Sequence, residues 1–194
     1  MANFSYLVID ETSRQCVLID PTGDTGPMIE MIRREGLDLV YLLNTHGHAD
    51  HTSGNRAVVA ATGAKVAAHP DCRVPMDLGL EHGSTLEVGM LRIEVVHTPG
   101  HTHDGVCLLC AGKLFTGDTL FVGECGRTDI SGGDAGALYD SLFGKLLGLP
   151  DETEVYPGHD YGPRPSSTIG EERRTNYTLA PRTRAEFVRF MAEP

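Results

Sequence analysis

Residues 45–51 read Thr-His-Gly-His-Ala-Asp-His, directly after the nearly continuous apolar run Asp38–Leu43. Three imidazoles and a carboxylate this close together suit Zn or Fe. A ligand-rich loop at the end of a buried strand constrains the fold strongly, because any further ligands must arrive at the same sheet edge. In an extended segment His46 and His48 point the same way and reach one ion, while Asp50 and His51 point onward toward a second. Gly47 and Ala49 keep the segment slim, and nothing apolar nearby calls for core histidines.

Three later segments share this layout. Thr98-Pro99-Gly100-His101 follows an apolar strand ending at Val96, Phe115-Thr116-Gly117-Asp118 follows one from Lys113, and Tyr156-Pro157-Gly158-His159 follows one from Glu154. Each sets a glycine immediately before a metal-ligand type, where a tight backbone can present it. One such turn is weak evidence. Three in order behind the His-rich loop are strong evidence for a metal site.

The intervening chain alternates between strand and helix patterns. Residues 4–9 and 16–20 predict a β-hairpin around a polar turn at 10–15. Pro27, the stripe Met28, Ile29 and Ile32, and Gly36 predict a helix with both of its ends marked. Residues 55–62, closed by Gly63, predict a second helix, and 65–68 a buried strand. Hairpins follow over 86–96 and over 106–110 with 113–116. Residues 138–147 predict a helix with Asp134 upstream as a cap, and 154–156 a short strand. Residues 162–168 predict a surface loop, and Thr183 with Glu186 forms a capping box for a last helix. This mixture predicts a layered sandwich, two sheets inside and helices outside, in one domain spanning residues 1–194.

Charge and cysteine usage narrow the function. Acidic residues outnumber basic ones 27 to 16, a net charge of −11. Such a surface repels phosphate backbones and anionic lipid, so neither nucleic acid nor a membrane is the expected partner. No apolar run approaches the ~18 residues of a membrane span. The first ten residues lack a basic region and cleavage site, so a cytoplasmic location is expected. Five scattered cysteines fit reduced thiols. Cys107 and Cys110 have redox-motif spacing, but on a strand they face opposite ways.

The ordered set His46-x-His48-x-Asp50-His51, His101, Asp118 and His159 resembles that of the metallo-β-lactamase superfamily over nearly the whole chain. The resemblance implies an αββα sandwich with a metal site at one edge. It implies that His46, His48 and His101 hold a first metal, that Asp50, His51 and His159 hold a second, and that Asp118 bridges them; Asp50 and Asp118 then carry the catalysis. The segments Thr119-Leu120-Phe121, Cys125-Gly126-Arg127-Thr128-Asp129 and Gly133-Asp134-Ala135 resemble the glutathione-linked branch of glyoxalase II and the persulfide dioxygenases. With 156–161 and Glu171-Glu172-Arg173, they look most like the dioxygenases.

In that family a single Fe(II) is held by the residues matching His46, His101 and Asp118, a 2-His-1-carboxylate set, with the other ligand types around it. The implied reaction is oxidation of a glutathione persulfide to sulfite with O₂. The alternative is thioester hydrolysis at two Zn, Fe or Mn ions. Glyoxalase II usually carries a further C-terminal helical domain, for which about thirty residues after His159 are too few. Arg127 and Tyr161 are the expected substrate contacts, with pairing of Arg127 to Asp129 or Asp134 as the structural alternative. Cys125 is expected as a buried small residue or an orienting thiol, and His103 as a surface loop residue. A homodimer is compatible with the resemblance. Departures from the dioxygenase pattern are Ile130-Ser131 after Arg-Thr-Asp, and Glu124 where a small residue is usual.

Overall fold

Period-2 alternation along buried strands generates the layers of this molecule. In β2 (Gln15–Ile19), Cys16 and Leu18 face one way, and Val17 and Ile19 face the other. In β8 (Val106–Cys110), Val106, Leu108 and Cys110 share a face while Cys107 points to the opposite one. Each strand thus contributes to two cores. The structure is a computed structural model that describes residues 2–193, so Met1 and Pro194 of the expected 1–194 domain lie outside the described residues.

The first sheet has the order β1-β2-β3-β4-β5, built from β1 (Tyr6–Ile9), β2, β3 (Asp38–Leu43), β4 (Lys65–Ala68) and β5 (Leu78–Gly79). β1 and β2 form the expected antiparallel hairpin, and β2 through β5 run parallel. The second sheet has the order β13-β12-β9-β8-β7-β6. Its strands are β6 (Thr85–Val88), β7 (Leu91–His97), β8, β9 (Lys113–Gly117), β12 (Glu154–Pro157) and β13 (Ser167–Thr168). A separate hairpin, β10 (Leu120–Phe121) with β11 (Glu124–Cys125), stands beside the metal-ligand loops.

Three apolar clusters separate four layers. Val17, Ile19, Leu43 and Ala67 meet Ile93, Val95, Leu108 and Phe115 between the sheets. Outside the first sheet, Cys16, Leu18 and Leu42 pack against α1 (Gly26–Arg34) and α3 (Asn55–Thr62) through Ile32 and Val58. Outside the second, Cys107, Leu114 and Val155 pack against α4 (Ala135–Gly144), α5 (Ile169–Thr175) and α6 (Arg184–Ala192) through Leu138, Leu142, Ile169 and Phe187. Each fully buried Leu or Phe stabilises this arrangement by roughly 1.5–3 kcal/mol relative to exposure. The expected αββα sandwich is the observed fold.

Some local expectations need correction. The helix expected over 138–147 begins at Ala135, because Asp134 accepts hydrogen bonds from the Gly136 and Ala137 N–H groups. It ends at Gly144, and a single 3-10 turn (Leu146–Gly148) follows. The expected loop at 162–168 contains β13, whose Val155↔Ser167 and Glu154↔Thr168 pairs extend the sheet. Thr168 then caps α5 through the Glu171 N–H. The His-rich loop is extended only through His48; α2 (Ala49–Thr52) turns Asp50 and His51 inward. The Thr183–Glu186 capping box is present at the start of α6.

Candidate metal centre

Strand ends at one edge of the two sheets deliver the donors. His46 and His48 follow β3, with His51 one helical turn further on. His101 follows β7, Asp118 follows β9 and His159 follows β12. The preceding glycines have a steric reason. A Cβ at Gly100 would meet the Leu138 backbone at 2.4 Å, and its φ of +146° strains other residues. A Cβ at Gly158 would meet Asp118 Oδ1 at 2.5 Å and fill the donor cluster.

The structure brings the seven side chains together. His48 Nδ1 lies 3.0 Å from His46 Nε2 and 3.1 Å from His101 Nε2. His51 Nε2 lies 3.2 Å from His159 Nε2, and Asp50 Oδ2 lies 3.4 Å from His159 Nε2. Asp118 stands between the two triads, 3.3 Å from His51 Nε2 and His159 Nε2 and 3.5 Å from His101 Nε2. Donors about 2.1 Å from one ion stand about 3.0 Å apart at a right angle and about 3.4 Å apart at the tetrahedral angle. The observed spacings therefore fit ion coordination. Asp118 Oδ1 and His159 Nδ1 are also buried without a hydrogen-bond partner. An unsatisfied buried carboxylate oxygen is costly, and a cation there satisfies it. The donor set fits a metal, consistent with a His/Asp site.

The electrostatics follow from burial and crowding. Burial and the neighbouring histidines hold the His46 imidazole well below its ordinary pKa, against Asp118. Burial also lowers His101, which Asp118 only partly offsets. For His51 burial opposes the charge, but Asp118 and Asp20 on its two sides push it up to about 10. Burial disfavours the Asp118 carboxylate, yet His159, His51 and His46 hold it well below the carboxylate range.

A cleft of about 490 Å³ opens over the cluster, with Phe121, Glu124, Cys125, Arg127 and Tyr161 in its wall. The Tyr161 ring stacks on His159 at 4.6 Å between centroids, and the residue is half exposed. Arg127 lines the cleft, but its guanidinium is held by Asp129 through bonds of 2.6 and 2.7 Å. Its carbonyl accepts the His101 Nδ1–H at 2.8 Å and so orients that ring. Cys125 is buried, with Sγ 3.9 Å from Met191 Sδ. All five cysteines are free and buried, and His103 is exposed.

Two contributors escaped the sequence reading. Asp20 accepts from the Thr45 N–H at 2.8 Å and from its hydroxyl at 2.6 Å, and its Oδ2 is 3.0 Å from His51 Nδ1. Asp20 stands at the end of the apolar strand β2, like the recognised ligands, but without the glycine that marks their turns. Asn3 donates to Asp50 Oδ2 at 3.1 Å from near the chain start, where no pattern marks it.

The fold and the sequence have close counterparts. A hydroxyacylglutathione hydrolase of Polaromonas sp. is 42% identical over 82% of this chain, which spans 62% of that protein's length. The mitochondrial persulfide dioxygenase ETHE1 of Homo sapiens is 37% identical over 97% of this chain and 75% of its own. The crystal structure of ETHE1 from Myxococcus xanthus superposes with a TM-score of 0.94 at 40% identity, covering 99% of this chain and 86% of that one. No helix among the described residues is long and apolar enough to cross a membrane. The family model of the metallo-β-lactamase superfamily matches residues 1–159, and with these identities and this fold the chain belongs to that superfamily.

Proposed function

We propose that this protein is a persulfide dioxygenase acting on a low-molecular-weight persulfide, with glutathione as the carrier thiol. One persulfide, one O₂ and one water give the thiol, sulfite and two protons. The observation that carries the reading is the extent of the sequence likeness, which runs over 97% of this chain for human ETHE1 and over 82–92% for the hydroxyacylglutathione hydrolases. The Cys125–Asp129 run in the cleft wall supports the same reading.

In this reading His46, His101 and Asp118 hold one Fe(II), and His48 stands beside them. Bound Fe(II) supplies open coordination positions and redox chemistry toward O₂. The chain's own residues do the rest. Asp20 fixes the His51 ring, and the Arg127 carbonyl fixes His101. Phe121 and Tyr161 pack edge to face and form an aromatic side of the cleft beside the donors. Reduced thiols and a cytoplasmic setting fit this role.

Thioester hydrolysis at two Zn, Fe or Mn ions is the second reading. It is favoured by the spacing of Asp50, His51 and His159 as a second potential ion site. Anaerobically purified, iron-loaded protein given glutathione persulfide and O₂, with S-lactoylglutathione in parallel, separates the two. Oxygen uptake with sulfite release is the expected result. Thioester cleavage at a comparable rate without oxygen uptake assigns the hydrolase instead.

A further inference from the structure

A second chamber of about 370 Å³ adjoins the cleft over the donor cluster and reaches α6. The two share three wall residues, Glu124, Cys125 and Arg127. Beyond them the second chamber is bounded by Tyr177, Thr178, Phe190, Met191 and a second acid, Glu193. A substrate with its sulfur at the donors therefore has Glu124 in the wall along its carrier end.

The charges at this junction are unequal. The Arg127 guanidinium is already held at both ends by Asp129. Glu124 has no cationic partner among the described residues; its one side-chain hydrogen bond comes from the Tyr177 hydroxyl. That bond holds the carboxylate at the Tyr177 hydroxyl, on the wall that the two chambers share. A fixed carboxylate with no cationic partner is chemistry that recognises an ammonium group. Asp50 and Asp118, the other acids of the first chamber, are engaged with the imidazoles at its floor.

We propose that Glu124 is a specificity-determining residue that reads an ammonium group on the carrier end of the substrate. The substrate class is then an amino-bearing thiol carrier, and in a γ-glutamyl peptide the group read is the α-ammonium. The inference rests on the reading that the cleft holds a thiol-derived substrate, but it does not depend on which reaction follows.

The test measures binding alone, by titration calorimetry on the protein as purified with its metal. The probes are S-methylglutathione and its analogue with glutaryl in place of γ-glutamyl, which lacks only the ammonium group. Wild type is expected to bind S-methylglutathione more tightly than the glutaryl probe. Glu124→Gln is expected to lose that preference, weakening S-methylglutathione by about fivefold, the upper end for a solvent-exposed ion pair, and leaving the glutaryl probe unchanged. Tyr177→Phe releases the carboxylate and should give a smaller loss of the same kind. Equal binding of both probes by wild type and Glu124→Gln overturns the role of Glu124 while leaving a thiol carrier in the cleft. Binding of neither probe to wild type overturns the carrier reading and this inference with it.

Discussion

Asp20 is not one of the seven clustered donors, yet it decides how one of them stands. Its carboxylate is 2% exposed and meets both Thr45 and His51, so it sets the ring angle and leaves Nε2 facing the cluster. Asp20→Asn should weaken metal binding about 10–100-fold, read by competition with a chelator. Unchanged affinity would reduce Asp20 to a turn residue. Asp118→Ala removes the carboxylate shared by both triads, and metal content and activity should both fall to background. Arg127 poses a different question, since its partner is already in place. If it meets a substrate carboxylate, Asp129 competes with the substrate. Asp129→Asn should then lower KM several-fold, and Arg127→Ala should raise it. No change in either variant makes the pair purely structural.

At the scale of elements, the β10–β11 hairpin carries much of the cleft wall, including Phe121, Glu124 and Cys125. One strand pair with two residue pairs is too little to hold a hairpin in water. The support comes from α5: Glu172, 1% exposed, accepts from the Gly123 N–H at 2.8 Å and from Asn176 Nδ2 at 2.8 Å. Asn176 in turn donates to the Glu124 carbonyl at 3.0 Å. Glu172→Ala leaves these buried donors unmatched and should cost about 1–3 kcal/mol in urea unfolding, with a raised KM as the wall loosens. Loss of stability with KM unchanged would separate the hairpin from substrate binding. This element also shows why part of the fold was not legible. Strands such as β2, β3 and β8 announce themselves through apolar alternation, and Gly63 and Asp134 through end chemistry. β13 lacks such a signature in Ser167 and Thr168, and although Thr168 and Glu171 have the spacing of a helix start, the polar run Glu171–Arg174 behind them shows no apolar stripe, so the placement of both depends on partners far along the chain. The seven clustered donors were legible because glycine and a ligand type recur at successive strand ends. Asp20 and Asn3 were not, because their roles exist only once distant loops meet.

For the molecule as a whole, every thiol is buried, those of Cys16, Cys107 and Cys110 by the alternation that layers the sandwich. Burial pushes the thiols of Cys16, Cys72 and Cys107 up to about 11 and that of Cys125 up to about 12, and it raises Cys110 as well. An unfolded cysteine titrates near ~8.5. Below that pH both states hold the proton and stability is unaffected. Above it the unfolded chain releases protons that the folded chain keeps, so stability falls as pH rises, until the folded thiols titrate near 11. Each such thiol contributes a slope of about 1.4 kcal/mol per pH unit in that window. Cys107 is the cleanest probe, since it sits between the second sheet and its helices, with Thr98 Oγ1 3.3 Å from its sulfur. Cys107→Ala should lower stability at pH 7 through the cavity it leaves, yet flatten the decline between pH 9 and 11 by about that slope. Denaturant unfolding of both proteins across this range, with the difference plotted against pH, isolates the thiol from lysine and tyrosine titrations. Parallel curves would mean that the buried thiol ionises as easily in the sandwich as in water.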